Sequence, residues 1–262
     1  MIDVAAAKTA CEAAAASAPD DARIQFQYGR VLLLAKDPKA FAVLGKAAKA
    51  GHIIALSNLG YAYEHGIGTK PDLAKAMQSY RKAADKGLST AQYNLGMMYL
   101  NGKGTKSDGK QAVFWLEKAA DQKDAESLNQ LGLIYDDGIK MPQDFAKSAA
   151  YYKAAIDAGS SAAYANLGWM YDRGVGGLPK DHEKANELYL AGAGKGDTNA
   201  MNNYAESLLT GEGVAKDEKA GMEWMHKAYD AGSSRAAYNL GMDYADAMHV
   251  AHDAAMAADY LL

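Results

Sequence analysis

Asn94-Leu95-Gly96-Met97-Met98-Tyr99 stands 36 residues after Asn58-Leu59-Gly60-Tyr61-Ala62-Tyr63 and 36 before Gln130-Leu131-Gly132-Leu133-Ile134-Tyr135. Asn166-Leu167-Gly168-Trp169-Met170-Tyr171 follows at the same interval. A register this strict marks an internal repeat, the feature that decides the fold of such a chain. One extra residue in the stretch Val175-Gly176-Gly177-Leu178 brings Asn203-Tyr204-Ala205 into line, and Asn239-Leu240-Gly241 closes the series. Gln27-Tyr28-Gly29 belongs to an earlier, shortened unit.

With the glycine taken as origin, the residues at −1, 0 and +3 share one face of a helix, here called helix A. A glycine turn follows, as in Gly66-Ile67-Gly68, Gly102-Lys103-Gly104 and Gly211-Glu212-Gly213. Glycine there supplies the positive φ that ends a helix. Asp72, Asp108, Asp144, Asp181 and Asp217 close the loops, placed to cap a second helix, helix B. Each helix B carries an aromatic near its middle (Tyr80, Trp115, Tyr152, Tyr189, Trp224). Ala55, Ala91, Ala163, Ala200 and Ala236 open helix A, where small side chains permit close helix approach. Lys140, Ala205 and Ala247 depart from the pattern at positions that are glycine elsewhere.

These residues resemble the Sel-1-like repeat, a relative of the tetratricopeptide repeat, with the pattern A-x-x-N-L-G-x-x-Y-x-x-G-x-G, a capping Asp, then K-A-x-x-W-Y-x-K-A-A-x-x-G. The resemblance covers nearly the whole chain. It implies an all-α fold, an alpha-alpha superhelix in which antiparallel helix pairs stack as a right-handed solenoid, and physics agrees: no pair buries its apolar face alone. Residues 1–262 then read as one array: a capping helix within 1–19, a shortened repeat at 22–51, and full repeats at 55–87, 91–124, 125–159, 161–196 and 198–232. A truncated repeat at 234–262 ends it. Ala10-Cys11-Glu12-Ala13-Ala14 followed by Ala18-Pro19-Asp20-Asp21-Ala22-Arg23 resembles the linker ahead of such arrays in bacterial proteins with an upstream caspase-like domain.

Composition narrows the function. Net charge is −4 and only Arg23, Arg30, Arg81, Arg173 and Arg235 are arginines, so there is no concentrated basic face for nucleic acid. No apolar run approaches the roughly 18 residues of a membrane span. The sequence from Met1 carries no secretory signal, and cytoplasm is the expected compartment, with periplasm the alternative for a fragment. Cys11 is the single cysteine, which rules out an intrachain disulfide and leaves a thiolate zinc site short of ligands.

A catalytic constellation is not identifiable. His52, His65, His182, His226, His249 and His252 fall at different repeat positions, and repeats are distant in a solenoid. His249 and His252 with Asp253 lack a third strong ligand, and Asp136-Asp137 sits where a helix ends. The glycine turns follow helices rather than strands and lack a G-K-[ST] ending. No enzyme activity, cofactor or metal is expected.

The concave wall of tetratricopeptide relatives is lined mainly by helix A, and the resemblance implies the same here. With −1 and +3 in the core, positions −6, −3, −2, +1, +4 and +5 remain for the open face. Position −2 reads Asn58, Asn94, Gln130, Asn166, Asn203 and Asn239, an amide row able to bond an extended peptide backbone or to stitch neighbouring repeats. Tyr93 and Tyr238 at −3, and Tyr61, Met97, Leu133 and Trp169 at +1, add apolar groups. The expected function is a protein- or peptide-binding adaptor using this face. The alternatives are an architectural spacer for an upstream enzymatic domain and, less favoured, a hydrolase.

Overall fold

The structure, a computed structural model, describes residues 3–261, and among them are fifteen α-helices and no strand. The described residues pack as two compact units that divide at Ser127/Leu128, where the sequence reading treats the chain as one array. In a repeat protein each element contacts only its neighbours, so compactness is a local property and each unit is described by itself.

The first unit opens with α1 (Val4–Ser17), capped by Asp3, whose carboxylate accepts from the amides of Ala5 and Ala6. Antiparallel pairs follow: α2 (Ala22–Leu34) with α3 (Lys39–Lys49), α4 (Ile53–His65) with α5 (Leu73–Ala84), and α6 (Ser89–Asn101) with α7 (Gly109–Ala120). Phe26, Leu32, Leu44 and Ala55 form the core beside α1. The capping helix is tied down by Lys8, whose Nζ donates to Asp37 at 2.6 Å, and by Gln25, whose Nε2 donates to the Ala15 carbonyl at 3.0 Å.

The division falls inside α8 (Ala125–Asp137). In the second unit α9 (Phe145–Asp157) lies against α10 (Ala162–Arg173). The pairs α10 with α11 (His182–Gly194), α12 (Thr198–Thr210) with α13 (Glu218–Asp230), and α14 (Ser234–Asp246) with α15 (Ala254–Leu261) complete it. The helices A α10, α12 and α14 touch in succession.

The local chemistry explains the boundaries. Each loop aspartate caps as its position dictates: Asp72, Asp108, Asp144, Asp181 and Asp217 accept from the amides of Lys75, Gln111, Lys147, Lys184 and Ala220. Such a cap contributes about 1 kcal/mol over alanine. Helix A starts slightly earlier than its alanines suggest, at Ile53, Ser89, Ala162, Thr198 and Ser234. The reason is capping by residues with no uniform signature: His52 Nδ1 accepts from Ala55, whereas Leu88 provides extended backbone alone. The alanines then lie in the first turn, fully buried, where a larger side chain has no room.

The helix A glycines have a specific partner. A Cβ on Gly60 would meet the Tyr80 ring at 2.9 Å, one on Gly132 the Tyr152 ring at 2.4 Å, and one on Gly168 the Tyr189 ring at 2.5 Å. Glycine therefore clears the path of the helix B tyrosine. Trp115 is out of step: Leu116 faces Gly96, and Trp115 stands one position earlier.

At the end of α14, Ala247 takes the left-handed conformation at φ 53, ψ 39, where the full repeats use glycine. A Cβ there is strained by about 1 kcal/mol. Ala247→Gly is therefore expected to stabilise the protein by about 0.5–1 kcal/mol, less what glycine adds to the freedom of the unfolded chain. The urea midpoint checks it, and a drop would refute the strain.

Candidate binding groove

The open face of α10, α12 and α14 encloses a cavity of about 650 Å³. Helix A side chains at the expected offsets line it: Asn166 and Asn203 at −2, Trp169 and Glu206 at +1, Asn199 and Arg235 at −6. Asp172 and Arg173 close one flank with Lys180 and His182.

The two amides are held in defined orientations. Asn166 Nδ2 donates to Asn129 Oδ1 at 3.0 Å, which turns its carbonyl oxygen to the groove as an acceptor. Asn203 Oδ1 accepts from Arg235 Nη1 at 2.8 Å, leaving its NH₂ as a donor. Arg235 is anchored in turn by Glu206 at 3.0 Å. Asn166 thus stitches adjacent helices A and keeps one polar atom open. The stitching alternative applies to it as well, through a side chain rather than a backbone group.

Charge in the groove is partly settled internally. Asp172 accepts from the Tyr189 hydroxyl at 2.5 Å and lies 3.0 Å from His182 Nδ1. Burial, with the Asp172 hydrogen bond and charge, pushes the Tyr189 hydroxyl far above the ordinary phenol range. Arg173 lies over the Trp169 ring, 5.4 Å from its centroid. Half-buried Trp169 therefore presents an apolar wall already aligned with a guanidinium.

The other sequence candidates do not join this cavity. In the first unit Asn58, Asn94 and Met97 are half-buried on helices A, Tyr61 is exposed and stacks on His65 at 3.9 Å, and Tyr93 is half-buried. Burial, then the nearby Glu126 and Asp124 carboxylates, raise the Tyr93 hydroxyl above its ordinary value. In the second unit Leu133 is half-buried, Tyr238 is 58% exposed, and Asn239 Nδ2 lies 3.9 Å from Met225 Sδ on α13, turned toward helix B of the preceding repeat. Position −3 does not belong uniformly to the open face. Ser57, Asn129, Ala165 and Asn202 are buried there, and Asn202 Nδ2 bonds Ser233 Oγ at 2.8 Å.

Sequence reasoning did not single out Arg173, Lys180, His182, Asn199, Glu206 or Arg235. The offsets already contained Arg173, Asn199, Glu206 and Arg235. Lys180 and His182 arrive with the loop lengthened around Gly176-Gly177, whose course no periodicity fixes.

Asp136 at +4 shows a different balance. Its Oδ1 is buried without a hydrogen-bond partner, and burial followed by the neighbouring Asp137 charge raises its pKa. A carboxyl raised in the folded state stabilises most at low pH, and that contribution is lost as pH rises through the folded pKa. Asp136→Asn is expected to raise the thermal midpoint at neutral pH, with the gain disappearing below the ordinary carboxylate range. Equal midpoints at all pH values would contradict the buried-charge account.

Among the described residues no cluster of His, Cys, Asp or Glu is arranged to hold a metal ion, and no helix is long and apolar enough to cross a membrane. Stacked helix pairs with a lined groove define an all-α repeat scaffold of the alpha-alpha superhelix class. The chain belongs to the Sel1 repeat family, whose model matches residues 53–88, 89–124, 125–160, 161–197, 198–233 and 234–262. No curated protein matches the sequence. Among solved structures, a Sel1 repeat protein from Oxalobacter formigenes is 31% identical with a TM-score of 0.82, over 90% of this chain and 96% of that one. The protective antigen c5321 of uropathogenic Escherichia coli, described as having an SLR fold, is 28% identical with a TM-score of 0.77, and this chain spans 55% of its length. The Cut9–Hcn1 hetero-tetramer structure shares the fold at 15% identity and a TM-score of 0.59, over 99% of this chain and 45% of that one. Proteins of this family are generally non-enzymatic scaffolds used in protein–protein interaction.

Proposed function

We propose that this protein is an adaptor that binds an extended segment of a protein partner on the helix A face of its second unit and carries out no catalysis. The groove itself carries this reading: Trp169 forms an apolar wall, while Asn166 and Asn203 offer an acceptor and a donor to a passing main chain. A polypeptide in extended form has free N–H and C=O groups to meet such a pair, and this mode of recognition draws affinity from the main chain and specificity from adjacent side-chain pockets. The half-buried Asn58, Tyr93, Asn94 and Met97 and the exposed Tyr61 are proposed as a second, weaker contact face on the first unit. Leu133, Tyr238 and Asn239 remain proposed at the margins of the second.

Selection of displayed random peptides on the whole chain tests the reading. Sequences recovered on the wild type and lost on Trp169→Ala support it. Recovered sequences indifferent to Trp169, Asn166 and Asn203 would refute it.

A further inference from the structure

We infer that the occupant of this groove is an acidic peptide, with a carboxylate seated between Arg173 and Lys180 and its main chain bridged by Asn203 as donor and Asn166 as acceptor. The inference rests on the groove reading above and adds the chemistry and polarity of the partner.

Charge complementarity supplies the argument. Glu206 is paired with Arg235 at 3.0 Å, whereas Asp172 accepts from the neutral Tyr189 hydroxyl and lies 3.0 Å from His182 Nδ1, with no lysine or arginine partner among the described residues. Arg173 and Lys180 line the same cavity and make no ion pair among the described residues, and of the lining carboxylates Asp172 and Glu212 have no lysine or arginine partner there. The flank formed by Asp172, Arg173, Lys180 and His182 therefore sets two permanent cations against one carboxylate, a local cationic excess. Arg173 is also positioned by the Trp169 ring, so its planar fork is arranged before a ligand arrives, the geometry that suits a carboxylate. The chain as a whole carries −4, so this flank does not belong to a general attraction for polyanions.

The amides add direction. Because Asn203 shows its NH₂ and Asn166 its carbonyl, replacing each by aspartate has unequal consequences. Asn203→Asp keeps the acceptor for Arg235 but removes the groove donor. Asn166→Asp keeps a groove acceptor, and Asn129 can turn its own NH₂ to the new carboxylate.

The test uses the whole chain and a displayed library of random twelve-residue peptides, followed by synthetic copies of the winners. Enriched sequences are expected to contain Asp or Glu, to bind about tenfold more weakly to Arg173→Gln and to Lys180→Gln, and to lose affinity as salt rises from about 0.05 to about 0.5 M. Asn203→Asp is expected to weaken binding about tenfold and Asn166→Asp by less than about threefold. All four variants should keep the wild-type melting curve. Neutral or basic winners that still require Trp169 would overturn the acidic peptide while leaving the groove reading intact, as would full affinity in both Gln variants. Equal losses in the two Asp variants would overturn the polarity. If no winner depends on Trp169, the groove reading fails and the inference with it.

Discussion

Gly132→Leu is expected to lower the stability of the protein by about 3 kcal/mol, at the upper end of what overpacking a core costs. A Cβ at Gly132 would stand 2.4 Å from Tyr152 Cε1 and 2.5 Å from Cδ1. Tyr152 is 1% exposed and cannot swing into solvent, so the clash has to be relieved by moving α8 or α9. Leucine adds three further carbons to the same space. Gly45 supplies the contrast, since a Cβ there meets nothing within 4 Å. Gly45→Ala is expected to gain about 0.5–1 kcal/mol from helix propensity alone. Urea unfolding followed by circular dichroism reads both, and an unchanged midpoint for Gly132→Leu would contradict the assigned helix A to helix B contact.

Trp169→Ala is expected to weaken binding of a selected peptide by about 2 kcal/mol, roughly thirtyfold, the scale of an aromatic hot spot. Two effects combine in this residue. The ring is the large apolar element of the groove, and it also holds Arg173 over its face, 5.4 Å from the centroid. Truncation removes the wall and frees the guanidinium together. Because Trp169 is only half-buried, unfolding free energy should fall by about 1 kcal/mol or less, well short of unfolding the protein. Lys153→Ala, an exposed change on α9, should alter neither quantity. Titration calorimetry with parallel melting curves separates the cases, and loss of binding that merely tracks loss of structure would make Trp169 a packing residue.

The skeleton of the fold was legible because it depends on residues whose chemistry admits few alternatives. Glycine in a turn, aspartate before a helix and alanine at a close approach each reveal a local constraint, and Asp72, Asp108, Asp144, Asp181 and Asp217 all cap as their positions require. Helix starts were less legible because His52 and Leu88 perform the same task with unlike side chains. At the groove, the offsets read from periodicity include Asn166, Trp169 and Asn203, which line one cavity. It placed Tyr238 and Asn202 at the same offset, although one is 58% exposed and the other fully buried. Position in a repeat specifies direction from the helix axis, whereas exposure depends on which neighbour stands there. Lys180 and His182 were beyond its reach for the same reason: a loop with an inserted residue has no register to follow.

The most direct test of the account is amide chemical-shift mapping of the isotope-labelled chain as a selected peptide is added. Saturable shifts centred on Asn166, Trp169 and Asn203, continuous across α10, α12 and α14 and absent from the outward side of α11 and α13, are the expected result. Shifts concentrated on α11 and α13, with the helix A residues silent, would contradict it.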